Sequence, residues 1–145
     1  MNRLEAKRII GEHVTVAWFA AVAALGLEAE VRYKDDGLEQ PEQGSYWMRL
    51  STQTVDEGHE TLSNGENRRF LTVGLVFVQI FCPRQDDNAS DNADILAEAM
   101  RNAFRDPRVD ANLEFTGATI DDNVRPEPAW IAVNVNARFS YRQFM

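Results

Sequence analysis

Apolar residues recur along this chain with two periods. From Leu4 to Leu25 the steps are three and four residues. Ile10, Val14, Ala17, Trp18, Ala21, Val22 and Leu25 then line one side of a long helix. Glu5, Lys7, Arg8 and Glu12 make its first half amphipathic. Its second half, VAWFAAVAALG, is apolar almost all round, which predicts cover on every side, and Gly26 predicts its end. Glu28 to Lys34 changes to alternation, with Ala29, Val31 and Tyr33 on one side of a short strand. The Gly- and Pro-punctuated DDGLEQPEQGS reads as a loop. Tyr46 to Val55 reads as a second strand, Tyr46, Met48 and Leu50 sharing a face with Thr52 and Thr54. The charged DEGHETLSNGEN follows. Its Asn64-Gly65 turn signal predicts a long hairpin with a tip near residues 56–66, either a partner-binding loop or a solvated one.

The longest β-type run comes next, Arg68 to Pro83, RRFLTVGLVFVQIFCP. It does not alternate. One parity carries Phe70, Val76, Val78, Ile80 and Cys82; the other carries Leu71, Val73, Leu75, Phe77 and Phe81. A strand apolar on both faces is covered on both. Two helices can cover one face of a small sheet. The second cover is then either the sheet itself, curling over, or a neighbouring chain. The pattern leaves open which parity faces which way.

After Pro83 the segment RQDDNASDNAD is polar and acidic, with Asn88 or Ser90 as helix cap and Asp91 and Asp94 near the helix dipole. Ala93, Leu96, Ala97, Met100, Ala103 and Phe104 give a second helix, its stripe widened by Ile95 and Ala99 and its end set before Pro107. Leu113 to Ile120 reads as a strand with a possible bulge at Gly117. Trp130 to Tyr141 alternates most clearly, with Ile131, Val133, Val135, Ala137, Phe139 and Tyr141 inward. The order α-β-β-β-α-β-β implies a single α+β domain over residues 1–145. Its sheet is expected to be mainly antiparallel, with about five strands joined by hairpins and two helices packed on it.

Composition narrows the function classes. A formal net charge of −8 with scattered basic residues argues against nucleic-acid affinity. Cys82 is the single cysteine, so no internal disulfide can form; at the end of an apolar run it reads as a small buried hydrophobe. The start shows no secretory pattern. Val14 to Leu27, as a helix, would span about 21 Å, short of a hydrocarbon core, so no membrane role is expected.

Catalytic chemistry finds little support. His13 and His59 lack partners at ligand spacing. Asp86, Asn88 and Ser90 invite a calcium reading, but the loop template fails at Asp91 and Ala97, where Gly and Glu are needed. Asp35-Asp36 and Asp121-Asp122 sit where acidic turn formers are common. No enzyme, cofactor or metal is expected. Trp18, Phe19, Trp47 and Trp130 could instead line a small-ligand pocket between the first helix and the sheet, or simply be core.

GLVFVQIFCP, the helix ADILAEAMRNAF, the strand LEFTGATI and the closing WIAVNVNARFSY together resemble the tail terminator proteins of long-tailed bacteriophages, over about residues 68–143. The resemblance implies a structural α+β subunit that assembles with itself into a ring, usually a hexamer. Such a ring caps the head-proximal end of the tail tube, stops its polymerisation and joins it to the neck of the capsid. Its partners would be tail tube protein and a neck or head-completion protein, with DNA only passing through the lumen. The setting would be the virion, after assembly in the bacterial cytoplasm. Another neck or minor tail component of the same fold is the neighbouring possibility. On this reading Arg68, Arg69, Phe70, Val76, Val78 and Ile80 are candidates for the subunit interface. Asp86, Asp87, Asp121 and Asp122 are candidates for lumen or rim charge that keeps DNA from sticking.

Overall fold

The structure, a computed structural model, describes residues 1–33, 44–59, 69–105, 108–122 and 128–144. Helix α1 (Arg3–Ala24) begins at a reciprocal cap. The Asn2 side chain accepts from the Glu5 amide at 2.8 Å, and the Glu5 carboxylate accepts from the Asn2 amide at 3.3 Å. Two amides that the first turn leaves open are thereby satisfied. At the other end Leu27 N–H donates to the Val22 carbonyl at 2.9 Å and Gly26 N–H to Ala23 at 3.0 Å. That closure needs a left-handed residue, and Gly26 sits at φ 68°.

Six strands follow among the described residues: β1 (Ala29–Tyr33), β2 (Tyr46–His59), β3 (Arg69–Pro83), β4 (Arg108–Asp110), β5 (Leu113–Asp121) and β6 (Trp130–Phe144). Helix α2 (Ala89–Ala103) lies between β3 and β4. They form one sheet in the order β1-β2-β3-β6-β5-β4. The class is α+β as expected, and the additional strand is β4, a three-residue edge too short to carry a pattern. One expected hairpin is absent. β1 runs parallel to β2, with Ala29 opposite Tyr46 and Tyr33 opposite Leu50, while every other pairing is antiparallel. The connection between them is about a dozen residues long, enough for the chain to return to its starting end as a parallel pair requires. Within the expected 56–66 tip, pairing continues to His59 opposite Phe70; residues 60–66 lie outside the described ones.

Both helices lie on one face of the sheet. The sheet curls around them until both edge strands, β1 and β4, reach α1. Every fourth residue of α1, namely Ala6, Ile10, Val14, Trp18 and Val22, is buried. From β3 the inner face receives Val76, Val78, Ile80 and Cys82, each 0% exposed. Burying each side chain of this size contributes roughly 1.5–3 kcal/mol. Gly74 belongs to the same face. It lies under the Phe139 ring, where a Cβ would run into that ring and into the Gln53 carbonyl oxygen. Register shifts shape the sheet between Thr54 and Asp56, at Gly117, whose φ is 93°, and at the β4 edge between Arg108 and Asp110.

The second half of α1 is not enclosed on all sides. Val16 is 71% and Phe19 46% exposed. A helix lying on a two-layer fold has its neighbours on one side only, so an apolar residue on the far side stays uncovered whatever its hydropathy. Ile95 of α2, expected in the buried stripe, is likewise exposed.

Candidate functional site

The outer face of the sheet is the surface that carries unused chemistry. It is built by the odd-numbered residues of β3 and their cross-strand partners. At one end Trp47 stacks on Phe81 with ring centroids 4.1 Å apart and planes at 11°. Trp130 meets Trp47 edge-on at 5.7 Å and donates its indole N–H to the Ser45 carbonyl at 3.2 Å. All three rings are buried in a cluster separate from the main core. The Arg49 guanidinium lies 5.2 Å from the Trp47 ring and 5.6 Å from the Phe81 ring, and its Nη1 donates to Gln79 Oε1 at 3.4 Å. Such stacking contributes about 0.5–1 kcal/mol where it is partly exposed.

Beyond this cluster the face opens. Leu71, Val73, Leu75 and Phe77 are only half-buried. Asn136 pairs with Phe77, Arg138 with Leu75 and Arg142 with Leu71, so a row of amides and arginines on β6 borders the apolar row on β3. The Oδ1 atoms of Asn134 and Asn136 are buried without a hydrogen-bond partner among the described residues. A buried acceptor of this kind normally has a partner.

The structure separates the residues expected at the interface. Val76, Val78 and Ile80 are enclosed beneath the helices at 0% exposure and have no surface to offer a neighbour. The parity available is the opposite one, because β6 and the two helices take up the even-numbered residues of β3. Phe70 is half-buried near the start of β3, the backbone of Arg69 pairs with Phe144, and Arg68 lies outside the described residues. The expected pocket does not form either. Trp18 is fully buried on the inner face, Phe19 points away from the sheet, and Trp47 and Trp130 lie on the outer face.

The acidic pairs come together at one end of the sheet, since Pro83 is opposite Trp130 and Asp121 is opposite Asn134. Asp87 and Asp122 are exposed. Asp86 has a structural bond set instead. Tyr46 Oη donates to its Oδ2 at 2.5 Å, the Asn88 amide donates to its Oδ1 at 2.9 Å, and Asn92 Nδ2 donates to Tyr46 Oη at 2.9 Å. The Tyr46 hydroxyl, and then the Asn88 amide, hold the Asp86 carboxyl below its ordinary pKa. Burial, and then the bond to Asp86, push the Tyr46 phenol up to about 12. Asn88 is at the cap position of α2, but its side chain makes no capping bond; Asp86 instead satisfies the amide of Asn88 with its side chain and that of Ala89 with its backbone carbonyl.

Cys82 is a buried free thiol, pushed up to about 12 by burial and then by the charge of Asp86. A thiol held so far from its thiolate is a packing residue. His13 joins the helices: its Nε2 lies 2.8 Å from the Ala103 carbonyl at the end of α2, and its ring stacks on Phe115 at 5.7 Å. The side chain of His59 is not among those described. No cluster of three or more His, Cys, Asp or Glu suited to a metal occurs among the described residues. No helix among them is long and apolar enough to cross a membrane.

Two features went unnoticed in the sequence. One is the Trp47–Phe81–Trp130 cluster with Arg49, whose members come from three strands and share no spacing. The other is the outward side of α2. Asp91, Asp94 and Glu98 are exposed there around Ile95, which is 48% exposed. Their three- and four-residue steps are visible in the sequence, where Asp91 and Asp94 are accounted for by the helix dipole.

No family model matches the chain, and no curated protein does. A solved structure of a protein that carries no functional name aligns over 96% of each chain, with a TM-score of 0.57 and 16% sequence identity. At that identity the likeness establishes a shared fold.

Proposed function

We propose that this chain is a ring-forming structural subunit of a bacteriophage tail, of the tail terminator type. The observation that carries the reading is the outer face of β3. Leu71, Val73, Leu75 and Phe77 are half-buried on a strand whose other parity already fills the subunit's core. A row of this kind on a central strand fits a subunit completed by its neighbours. The resemblance of residues 68–143 to tail terminators supplies the identity of the assembly. In it, copies of the chain close a ring on the head-proximal end of the tail tube and end tube growth. The ring then presents a surface to a neck or head-completion protein. The protein acts by fit and not by catalysis, and DNA passes through the lumen without specific contacts. The exposed Asp87 and Asp122, at one end of the sheet, suit a rim or lumen wall, because anionic walls keep DNA from adhering.

Light scattering coupled to size exclusion tests the first half of the proposal, with a mass several times the 16.5 kDa protomer expected. Electron microscopy of the protein mixed with purified tail tubes tests the second, with density at one tube end expected. A strict monomer that leaves both tube ends bare would overturn the proposal.

A further inference from the structure

The two layers of the subunit end in unlike surfaces. On the sheet side, the outward residues of the three central strands include Arg49, Arg138 and Arg142 around Leu75 and Phe77, with Asp56 the acid among them, beyond the β2 bulge. The other acids of that face are on outer strands. Glu30 is paired with Arg32 at 2.7 Å on β1, and Glu114 and Asp121 are on β5. On the helix side, α2 turns Asp91, Asp94 and Glu98 outward around the exposed Ile95, with Glu98 also 3.9 Å from Arg101 three residues on, which leaves the surface acidic on balance. Each surface has an apolar centre with charge around it, and the charges are opposite. In a chain of net charge −8, an arginine-bordered apolar row is the kind of place where a further copy can approach without repulsion.

We infer that the outward side of α2 in one copy docks on the outer sheet face of the next, with Ile95 against Leu75 and Phe77 and with Asp94 and Glu98 toward Arg138. The occupant is a second copy of this chain, and the symmetry follows from the charges. A two-fold contact sets a surface against itself, arginines on arginines or acids on acids. A head-to-tail contact sets unlike against unlike and leaves one free surface of each kind for the next copy. This specifies the subunit contact of the proposed ring and rests on that reading for the ring's closure.

Charge reversal tests it, because all the residues changed are exposed. Arg138→Glu places acid against acid, and Asp94→Lys with Glu98→Lys places base against base. Each variant alone is expected to elute as a monomer at concentrations where the wild type assembles, a loss of tenfold or more in association. In an equimolar mixture every Lys-bearing helix can meet a Glu-bearing sheet, and every unchanged helix an unchanged sheet, so assembly to the wild-type mass is expected to return. Recovery from the same preparations also shows that the variants are folded; the neutral changes Arg138→Gln and Glu98→Gln should weaken association in the same direction but less. Wild-type-like assembly of either reversed variant alone, or a mixture that stays monomeric, overturns the docking mode and leaves the ring reading standing. A mixture that assembles yet caps no tail tube upholds the docking mode and counts against the terminator reading. A wild type monomeric at all concentrations overturns both.

Discussion

The two faces of β3 carry nearly the same hydropathy and have different fates. On the inner face Val76, Val78, Ile80 and Cys82 are 0% exposed beneath two helices. On the outer face Phe81 is enclosed by Trp47 and Trp130 and Pro83 is buried beside them, while Leu71, Val73, Leu75 and Phe77 remain partly exposed. Hydrophobicity is a property of a residue, and burial is a property of what happens to be opposite it. The inner face therefore determines whether the chain folds, and the outer face is the apolar surface left over once it has folded.

The largest expected effect breaks this contrast from the inside. Ile80→Ala should lower stability by about 2–5 kcal/mol, read as a shift in the urea midpoint, because Ile80 is 0% exposed and its removal leaves a cavity in the core. Leu75→Ala on the outer face should cost clearly less in the isolated subunit and show its main effect on oligomer mass. Equal losses for the two would contradict the division of roles. Gly74→Ala should follow at roughly 1–3 kcal/mol, since the added methyl must displace the Phe139 ring and meets a backbone oxygen that cannot yield. Thermal melts of Gly74→Ala with and without Phe139→Leu would show whether the ring is the obstacle, and a partial recovery in the double variant is expected. Arg49→Ala should cost about 0.5–1 kcal/mol by denaturant titration, the value of its stacking on Trp47 and Phe81.

The smallest effects concern pH. The Asp86 carboxyl has its pKa lowered on folding, so its contribution is present above the ordinary carboxylate pKa and is lost as pH falls through the lower folded value. Tyr46 has its pKa raised, so its contribution is full below its ordinary value of 10.0 and disappears as pH rises through about 12. Melting temperature against pH should therefore decline at both extremes, and Tyr46→Phe should flatten the decline at each. A Tyr46→Phe profile that parallels the wild type would show the bond to be incidental.

Much of the architecture was legible because period and element coincide. The β6 alternation, the α2 stripe, the Gly26 stop and the Gly117 bulge all follow from local sequence. The orientation of β3 was not legible, because both parities are apolar and the decision belongs to the helices packed elsewhere in the chain. The direction of β1 was hidden for a similar reason: five alternating residues read identically in a parallel or an antiparallel pair. The candidate site was less legible still. Val76, Val78 and Ile80 looked like an interface because apolarity was the only signal, and the arginines that distinguish the outer face come from strands separated by tens of residues. Asp86 looked like free surface charge because its partner Tyr46 is distant in sequence.

β6 lies between β3 and β5, at the middle of the sheet, although it is the last strand in chain order. During synthesis from the N-terminal end, β3 must therefore emerge with one long edge unpaired and wait for residue 130 and beyond. A nascent chain paused before that point would present an open apolar strand edge, a template for pairing with another chain. In the proposed ring, where many copies would work in contact, the order of emergence sets a kinetic hazard: premature association through the wrong edge, before the proper surface exists.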